Sequence, residues 1–303
     1  MKFGFQSAIL ADLSFEEVVD FASENGFECV EIMCWPVGQA DRKYAGVTHL
    51  DVTNFTKADA EKALGYCEKK GVSISALGYY PNLLSPDAEE AETSLNHLKK
   101  VIEASHLMGL DLVTTFVGND WTKSVEDNWS RFLEVWKPLM QFAEERGVFI
   151  AIENCAMYFT DDEWPAGKNL AYSPAIWRRM FKDLSSDYFG LNYDPSHLIW
   201  MQMDHLKPLK EFNKRFFHAH AKDVKVDREK LDDVGTMAVP LSYHDPRIPG
   251  RGDIDWKEYV AALKASGFNG AFCIEVEDSD YESSLDERKR ALTESGAFLR
   301  QYL

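Results

Sequence analysis

A chain of 303 residues with 45% hydrophobic side chains is long enough for one large domain and can fill its core. Its formal net charge of −17, with 33 basic against 50 acidic side chains and no basic stripe, repels polyanions and speaks against nucleic acid as a partner. Five scattered cysteines, none spaced CxxC, make no disulfide framework, and Cys29, Cys155 and Cys273 read as small buried hydrophobes.

Apolar strand-like runs alternate with amphipathic helical runs from end to end, the pattern of a parallel α/β fold. Lys2 to Ser7 reads as the first strand. Ser14 then caps a helix, with Glu17 completing a capping box and Gly26 stopping it. Cys29 to Met33 is the second strand. The long loop after it, Cys34 to Phe55, carries Trp35, Pro36 and His49 and has the length of a substrate cover. A helix from Lys57 to Lys70 leads to the third strand, Val72 to Leu77, and to the aromatic run Gly78 to Asn82, suited to stack on a sugar face or simply to pack. Helices are expected over Ala88 to Met108 and Val125 to Arg146, flanking a fourth strand at Leu112 to Val117. Val148 to Glu153 is the fifth strand. Ser173 and Pro174, as N-cap and first helical residue, open a helix to Leu184. Phe189 to Tyr193, Phe216 to His220 and Ala271 to Val276 complete the strands, with helices at Trp256 to Ala265 and Leu285 to Tyr302. Eight strands with no linker or composition break predict one (β/α)8 barrel, a TIM barrel, over residues 1–303. No charged leader and no apolar run of membrane-spanning length is visible, so the expected setting is the cytoplasm, without a membrane partner.

Four successive strand-like runs end in a residue able to hold a hard cation: Glu153, Asp194, His220 and Glu275. In a parallel barrel the C-terminal strand ends share one mouth, so these four would meet there around one divalent metal ion, Mn first and Mg, Co or Zn as alternatives. His218, two residues before His220, faces the same way one layer deeper, as a buried hydrogen-bonded group. Residues 224–248 form an insertion, read as a lid over the mouth or as a surface loop. His244 within it and Arg251 after it are candidate substrate contacts. No glycine-rich phosphate loop argues for a nucleotide. The aromatic content, 13%, would permit a homo-oligomer without locating its interface.

Together the motifs IEN (Ile152 to Asn154), YDPSH (Tyr193 to His197), HAHAKD (His218 to Asp223), PGRGDIDW (Pro249 to Trp256) and IEVED (Ile274 to Asp278) carry a resemblance. Over nearly its whole length the chain resembles the xylose isomerase-like barrel superfamily, in the sugar phosphate isomerase/epimerase branch with its ketose 3-epimerases, inosose isomerases and dehydratases. The resemblance implies Glu153, Asp194, His220 and Glu275 as metal ligands. It also implies a small carbohydrate substrate whose α proton is removed through a metal-stabilised enediolate, with Glu153 and Glu275 as base and acid. His197 would contact substrate beside the metal, or else orient a ligand carboxylate. Lys222 would neutralise developing oxyanion charge, or pair with Asp223 or Glu277.

Two departures narrow this expectation. Ketose 3-epimerases follow the ligand histidine with a Glu and an Arg that hold substrate, where this chain has Lys222, Asp223 and the insertion. Apurinic endonucleases need histidines at earlier strand ends, and LGYY and FVGND have none, which argues for one metal and against DNA repair. The expected function is a sugar isomerase or epimerase acting on a keto-sugar, keto-glycoside or inosose. A lyase or dehydratase using the same proton abstraction is the alternative, and a non-catalytic sugar-binding barrel would call for a broken ligand set.

Overall fold

The computed structural model describes residues 1–38, 46–158 and 163–303. The parallel strands β1 (Lys2–Gln6), β2 (Cys29–Met33), β3 (Ser73–Gly78), β4 (Leu112–Thr115), β5 (Phe149–Glu153), β6 (Phe189–Tyr193), β7 (Phe216–Ala221) and β10 (Ala271–Ile274) follow one another around a closed barrel, and β10 pairs back onto β1. The expected (β/α)8 barrel is therefore the observed one. Around it lie α1 (Phe15–Glu24), α2 (Lys57–Lys70), α3 (Ala88–Leu107), α4 (Val125–Glu144), α5 (Pro174–Leu184), α9 (Trp256–Ala265) and α10 (Leu285–Leu299). Shorter helices are α6 (Pro195–Trp200), α7 (Lys207–Glu211) and α8 (Arg228–Val234). The α1 capping box of Ser14 and Glu17 is present, and Thr56 with Asp59 makes a second at α2. Ser173 is the α5 N-cap but makes no side-chain capping bond, so the fixed φ of Pro174 starts that helix instead.

Strand periodicity decides what faces the lumen. In β5, Ile150 and Ile152 join the large core that includes Trp136, Trp177 and Phe189, while Ala151 meets Ala76 and Leu112 in a separate small cluster. Glu153 shares the face of Ala151, and His218 and His220 alternate with Ala219 and Ala221 on β7. Above the small cluster the lumen turns polar, with Glu31 on β2, Thr114 on β4, Asn192 on β6 and His218 on β7 all fully buried. Gly78 makes room for this layer: a Cβ there would sit 2.2 Å from Met33 Cε and 2.9 Å from Glu31 Oε1.

Residues 223–247 depart from the barrel as a hairpin, β8 (Asp223–Val226) pairing antiparallel with β9 (His244–Arg247). Val224, Val226 and Tyr243 pack with Ala156 and Trp200 in their own apolar cluster. Asp223 locks the base, accepting from the backbone N–H of Val224, Gly250 and Ile254 and from Trp256 Nε1. This explains the glycine and tryptophan of PGRGDIDW, because a Cβ on Gly252 would lie 2.1 Å from Asp223 Oδ1. Arg247 ties the second strand down through Asp278 at 3.0 Å. The loop expected from Cys34 to Phe55 falls partly outside the described residues, over 39–45; His49 anchors its far end to Ser7 Oγ and the Leu10 carbonyl.

Candidate metal centre and cavity

Glu153 ends β5, Asp194 follows β6 as the N-cap of α6, His220 lies in β7, and Glu275 directly follows β10. One ligand atom from each lies within 4.8 Å of the others, and all four residues are buried. Asn154, the last residue of IEN, fixes this geometry by clamping Asp194 through its backbone, its Oδ1 accepting from Asp194 N and its Nδ2 donating to Asp194 O, both at 2.8 Å. Asp194 Oδ1 caps Ser196 N, which leaves Oδ2 for the centre.

Three of the four ligand residues present an atom here without a hydrogen-bond partner. Glu153 Oε1, Asp194 Oδ2 and His220 Nδ1 are buried with none aligned to bond them, although His220 Nδ1 stands 3.0 Å from Glu275 Oε2 and 3.8 Å from Glu153 Oε1. An imidazole nitrogen facing two carboxylates is tenable only with a cation between them, a proton or a metal. Three carboxylates and one imidazole converging from four strands therefore fit a divalent ion, with the oxygen-rich donor set suiting a hard or borderline metal.

On its other side the His220 ring meets a residue that sequence reasoning passed over. Glu31 Oε2 lies 2.7 Å from His220 Nε2, and its Oε1 accepts from Thr114 Oγ1 at 2.5 Å and from the Tyr80 hydroxyl. Asn192 Nδ2 is 3.0 Å from the same Nε2, but the anionic Glu31 is the stronger partner and assigns the proton to Nε2, leaving the Nδ1 lone pair for a metal. Burial opposes charge on Glu31, yet the neighbouring His220 holds its carboxyl below the usual range. The same pair, with Glu275, keeps the His220 imidazole well above its ordinary pKa against the burial that opposes it. The available signal was a lone carboxylate inside the otherwise apolar strand CVEIM.

Burial also pushes the carboxyls of Glu153 and Glu275 upward, and their neighbours then separate them. The nearby His197 and His220 rings and the charge of Lys222 bring Glu153 down to about 2. Glu275 stays above its ordinary value, because burial and the Glu153 charge outweigh Lys222. Lys222, whose side chain is 3% exposed, sits 2.9 Å from Glu275, 3.1 Å from Asp194 and 3.1 Å from Glu277. Its ion-pair partners are thus Glu277 and two of the proposed ligands, while Asp223 is committed to the hairpin base.

His197 lies on the short helix α6. Trp200 Nε1 donates to His197 Nδ1 at 3.3 Å, so Nε2 carries the proton in the neutral ring and points toward Asp194 Oδ2 at 3.2 Å and Glu153 Oε1 at 3.4 Å. His244 stacks on the other side of Trp200, with ring centroids 4.8 Å apart and planes 5° from parallel. His218 lies below, held by Asn192 Oδ1 at 2.9 Å and facing Ser75 Oγ at 3.2 Å, and burial lowers its pKa to about 4.

These groups floor an open cavity of about 940 Å³. Glu153, His197, Lys222, Glu275 and Glu277 line its base, with Trp35, Tyr80 and Phe116 on one wall and Trp200, His244 and Pro246 on the other. Tyr80 thus reaches the cavity, whereas Tyr79 packs against Trp35 and His97. Arg251 is not brought to this site. Its guanidinium pairs with Glu294 at 3.0 Å and lies over the Tyr281 ring, because Asp223 holds the PGRGDIDW backbone inward and leaves that side chain on the outer surface. No helix among the described residues is long and apolar enough to cross a membrane.

Comparison with known proteins agrees with the barrel fold. An inosose dehydratase of Clostridium perfringens (strain 13 / Type A) is 24% identical over 278 residues, covering 86% of each chain. The crystal structure of an IolI protein with a bound zinc atom superposes with a TM-score of 0.72 at 19% identity, covering 100% of this chain and 99% of that one. The D-psicose 3-epimerase of Clostridium cellulolyticum H10, solved with D-tagatose, gives 0.70 at 15% identity with the same coverage. The profile of the xylose isomerase-like TIM barrel family matches residues 19–302, and the chain belongs to that family.

Proposed function

We propose that this protein is a divalent-metal-dependent isomerase or epimerase that moves a proton on the carbon beside the ketone of a keto-sugar, keto-glycoside or inosose. The observation that carries the reading is the meeting of Glu153 and Glu275, from β5 and β10, with Asp194 and His220 around buried atoms that have no hydrogen-bond partner. Glu153, Asp194, His220 and Glu275 would hold the ion, which when bound polarises a carbonyl and its neighbouring hydroxyl.

The chain's own groups handle the proton. Glu153, held ionised by His197 and Lys222, is the base. Glu275, facing it from the end of β10, is the acid, and because its Oε2 is engaged by His220 and Lys222, its Oε1 is the oxygen that serves the substrate. His197 Nε2–H donates to a substrate oxygen, and Lys222 offsets negative charge developing on the substrate. The aromatic walls limit water around the reacting carbon.

The test is mass spectrometry of ketoses, inososes and 3-keto-glycosides incubated with the Mn-loaded protein in D2O, with Glu275→Gln as control. Deuterium uptake at unchanged composition, lost in the variant, supports the proposal; absence of exchange across the panel with metal bound overturns it. The likeness to an inosose dehydratase favours a second reading, proton abstraction followed by loss of a β substituent. That reading predicts uptake together with loss of water or an aglycone.

A further inference from the structure

We infer that the outer half of the cavity receives the apolar aglycone of an uncharged glycoside, whose sugar ring rests on the carboxylate floor. This rests on the sugar-directed reading above and adds the class of substrate.

Charge comes first. Among the described residues Lys222 is the one lysine or arginine lining the cavity, and its ammonium is already surrounded by Asp194, Glu275 and Glu277. The carboxyl groups of Glu153, Asp194, Glu275 and Glu277 crowd around it at the floor. Among the described residues a phosphate or carboxylate on the substrate would meet no lysine or arginine at the floor other than the engaged Lys222, and Arg251 is paired outside with Glu294. The floor therefore suits a neutral polyol.

The polarity of the walls gives the rest. Above the carboxylate floor the cavity continues between walls supplied by the barrel and by the hairpin segment. Met33, Trp35 and Phe116 face this space from the barrel, and Leu241 and Pro246 from the hairpin segment. His244 adds little polarity, because its Nδ1 is bonded to the Pro240 carbonyl and its face is stacked on Trp200. A second sugar would leave its hydroxyls unpaired against such walls, whereas an aromatic or alkyl group would not. The rim points the same way. Among the described residues, Val37, Val234, Met237 and Leu241 are large apolar side chains left 44–81% exposed, and they lie on the two segments that carry Trp35 and the hairpin.

The test is calorimetric binding to the metal-loaded protein of phenyl glucoside, galactoside and mannoside, each compared with its free sugar and its sugar 6-phosphate. At least one phenyl glycoside should bind about tenfold or more tighter than its free sugar, as burial of a phenyl ring allows, and each 6-phosphate should bind more weakly. Trp35→Ala and Leu241→Ser should each bring the phenyl-to-free-sugar ratio toward one, with unchanged far-UV circular dichroism. The inference is overturned if no phenyl glycoside outbinds its free sugar or if a 6-phosphate binds best. It is overturned as well if Leu241→Ser changes only the sedimentation of the protein, which would mean that a second copy covers the rim. These probes have no ketone and are not turned over. Tight phenyl glycoside binding without deuterium exchange would remove the reaction and keep the aglycone site, and exchange without the phenyl preference would do the reverse.

Discussion

Glu31 Oε2 lies 2.7 Å from His220 Nε2, with both side chains fully buried. A metal-ligating imidazole needs its other nitrogen protonated and held, and a carboxylate does this better than a neutral group. Glu31→Gln should therefore weaken metal affinity by about 10- to 100-fold while the metal stoichiometry at saturation stays the same. Competition with a chromophoric chelator measures it; unchanged affinity would show that Glu31 only fills the lumen.

Glu153→Gln and Glu275→Gln should each lower deuterium exchange by about 10²–10⁴-fold, the usual worth of a positioned acid or base. Metal content, read by elemental analysis, separates loss of proton transfer from loss of the ion. Exchange at the wild-type rate in either variant would remove that residue from the mechanism.

Trp200→Phe keeps an aromatic ring beside His244 and removes the indole donor to His197 Nδ1. The His197 proton is then free to move to Nδ1. Loss of one such bond predicts about a tenfold fall in kcat/KM, accompanied by a change in the ¹⁵N shifts of the His197 ring. A fall in activity with the tautomer unchanged would assign Trp200 to the cavity wall alone.

Burial lowers the pKa of His244 from 6.5 to about 4, against the pull of the Pro240 carbonyl. Between these values the unfolded chain binds a proton that the folded chain does not, so stability falls as pH drops through the window. Full passage costs on the order of 3 kcal/mol. His49, also lowered chiefly by burial, adds in the same direction. Denaturant unfolding at several pH values should show this slope, and His244→Phe should make it shallower.

Asp223→Ala removes the acceptor of three backbone N–H groups and one indole. Each buried donor left without a partner costs about 1–3 kcal/mol, and with partial rescue by water a loss of about 4 kcal/mol in unfolding free energy is expected. A loss below about 1 kcal/mol would show that the hairpin base is held by its apolar cluster instead.

The barrel was legible in the sequence because alternation of buried strands and amphipathic helices is a local pattern, and strand ends in a parallel barrel must converge. That convergence alone places Glu153, Asp194, His220 and Glu275 at one mouth. Glu31 was not legible in the same way: it lies mid-strand, and its partner His220 is 189 positions away. Arg251 shows the opposite failure, for its motif was read but the direction of its side chain depends on Asp223, which pulls the surrounding backbone inward. The short α6 gives no such periodic signal: it begins at Pro195, and Asp194 caps it with the carboxylate whose other oxygen faces the metal centre.

The hairpin begins three residues after His220 on the same run of chain, yet Asp223 isolates its base from the strand that bears the ligand. Insertions or deletions between Asp227 and Tyr243 would therefore redraw the roof of the cavity while the floor kept its coordinates. Such a division lets descendants of one barrel exchange substrates by editing a single excursion and inherit the proton chemistry intact.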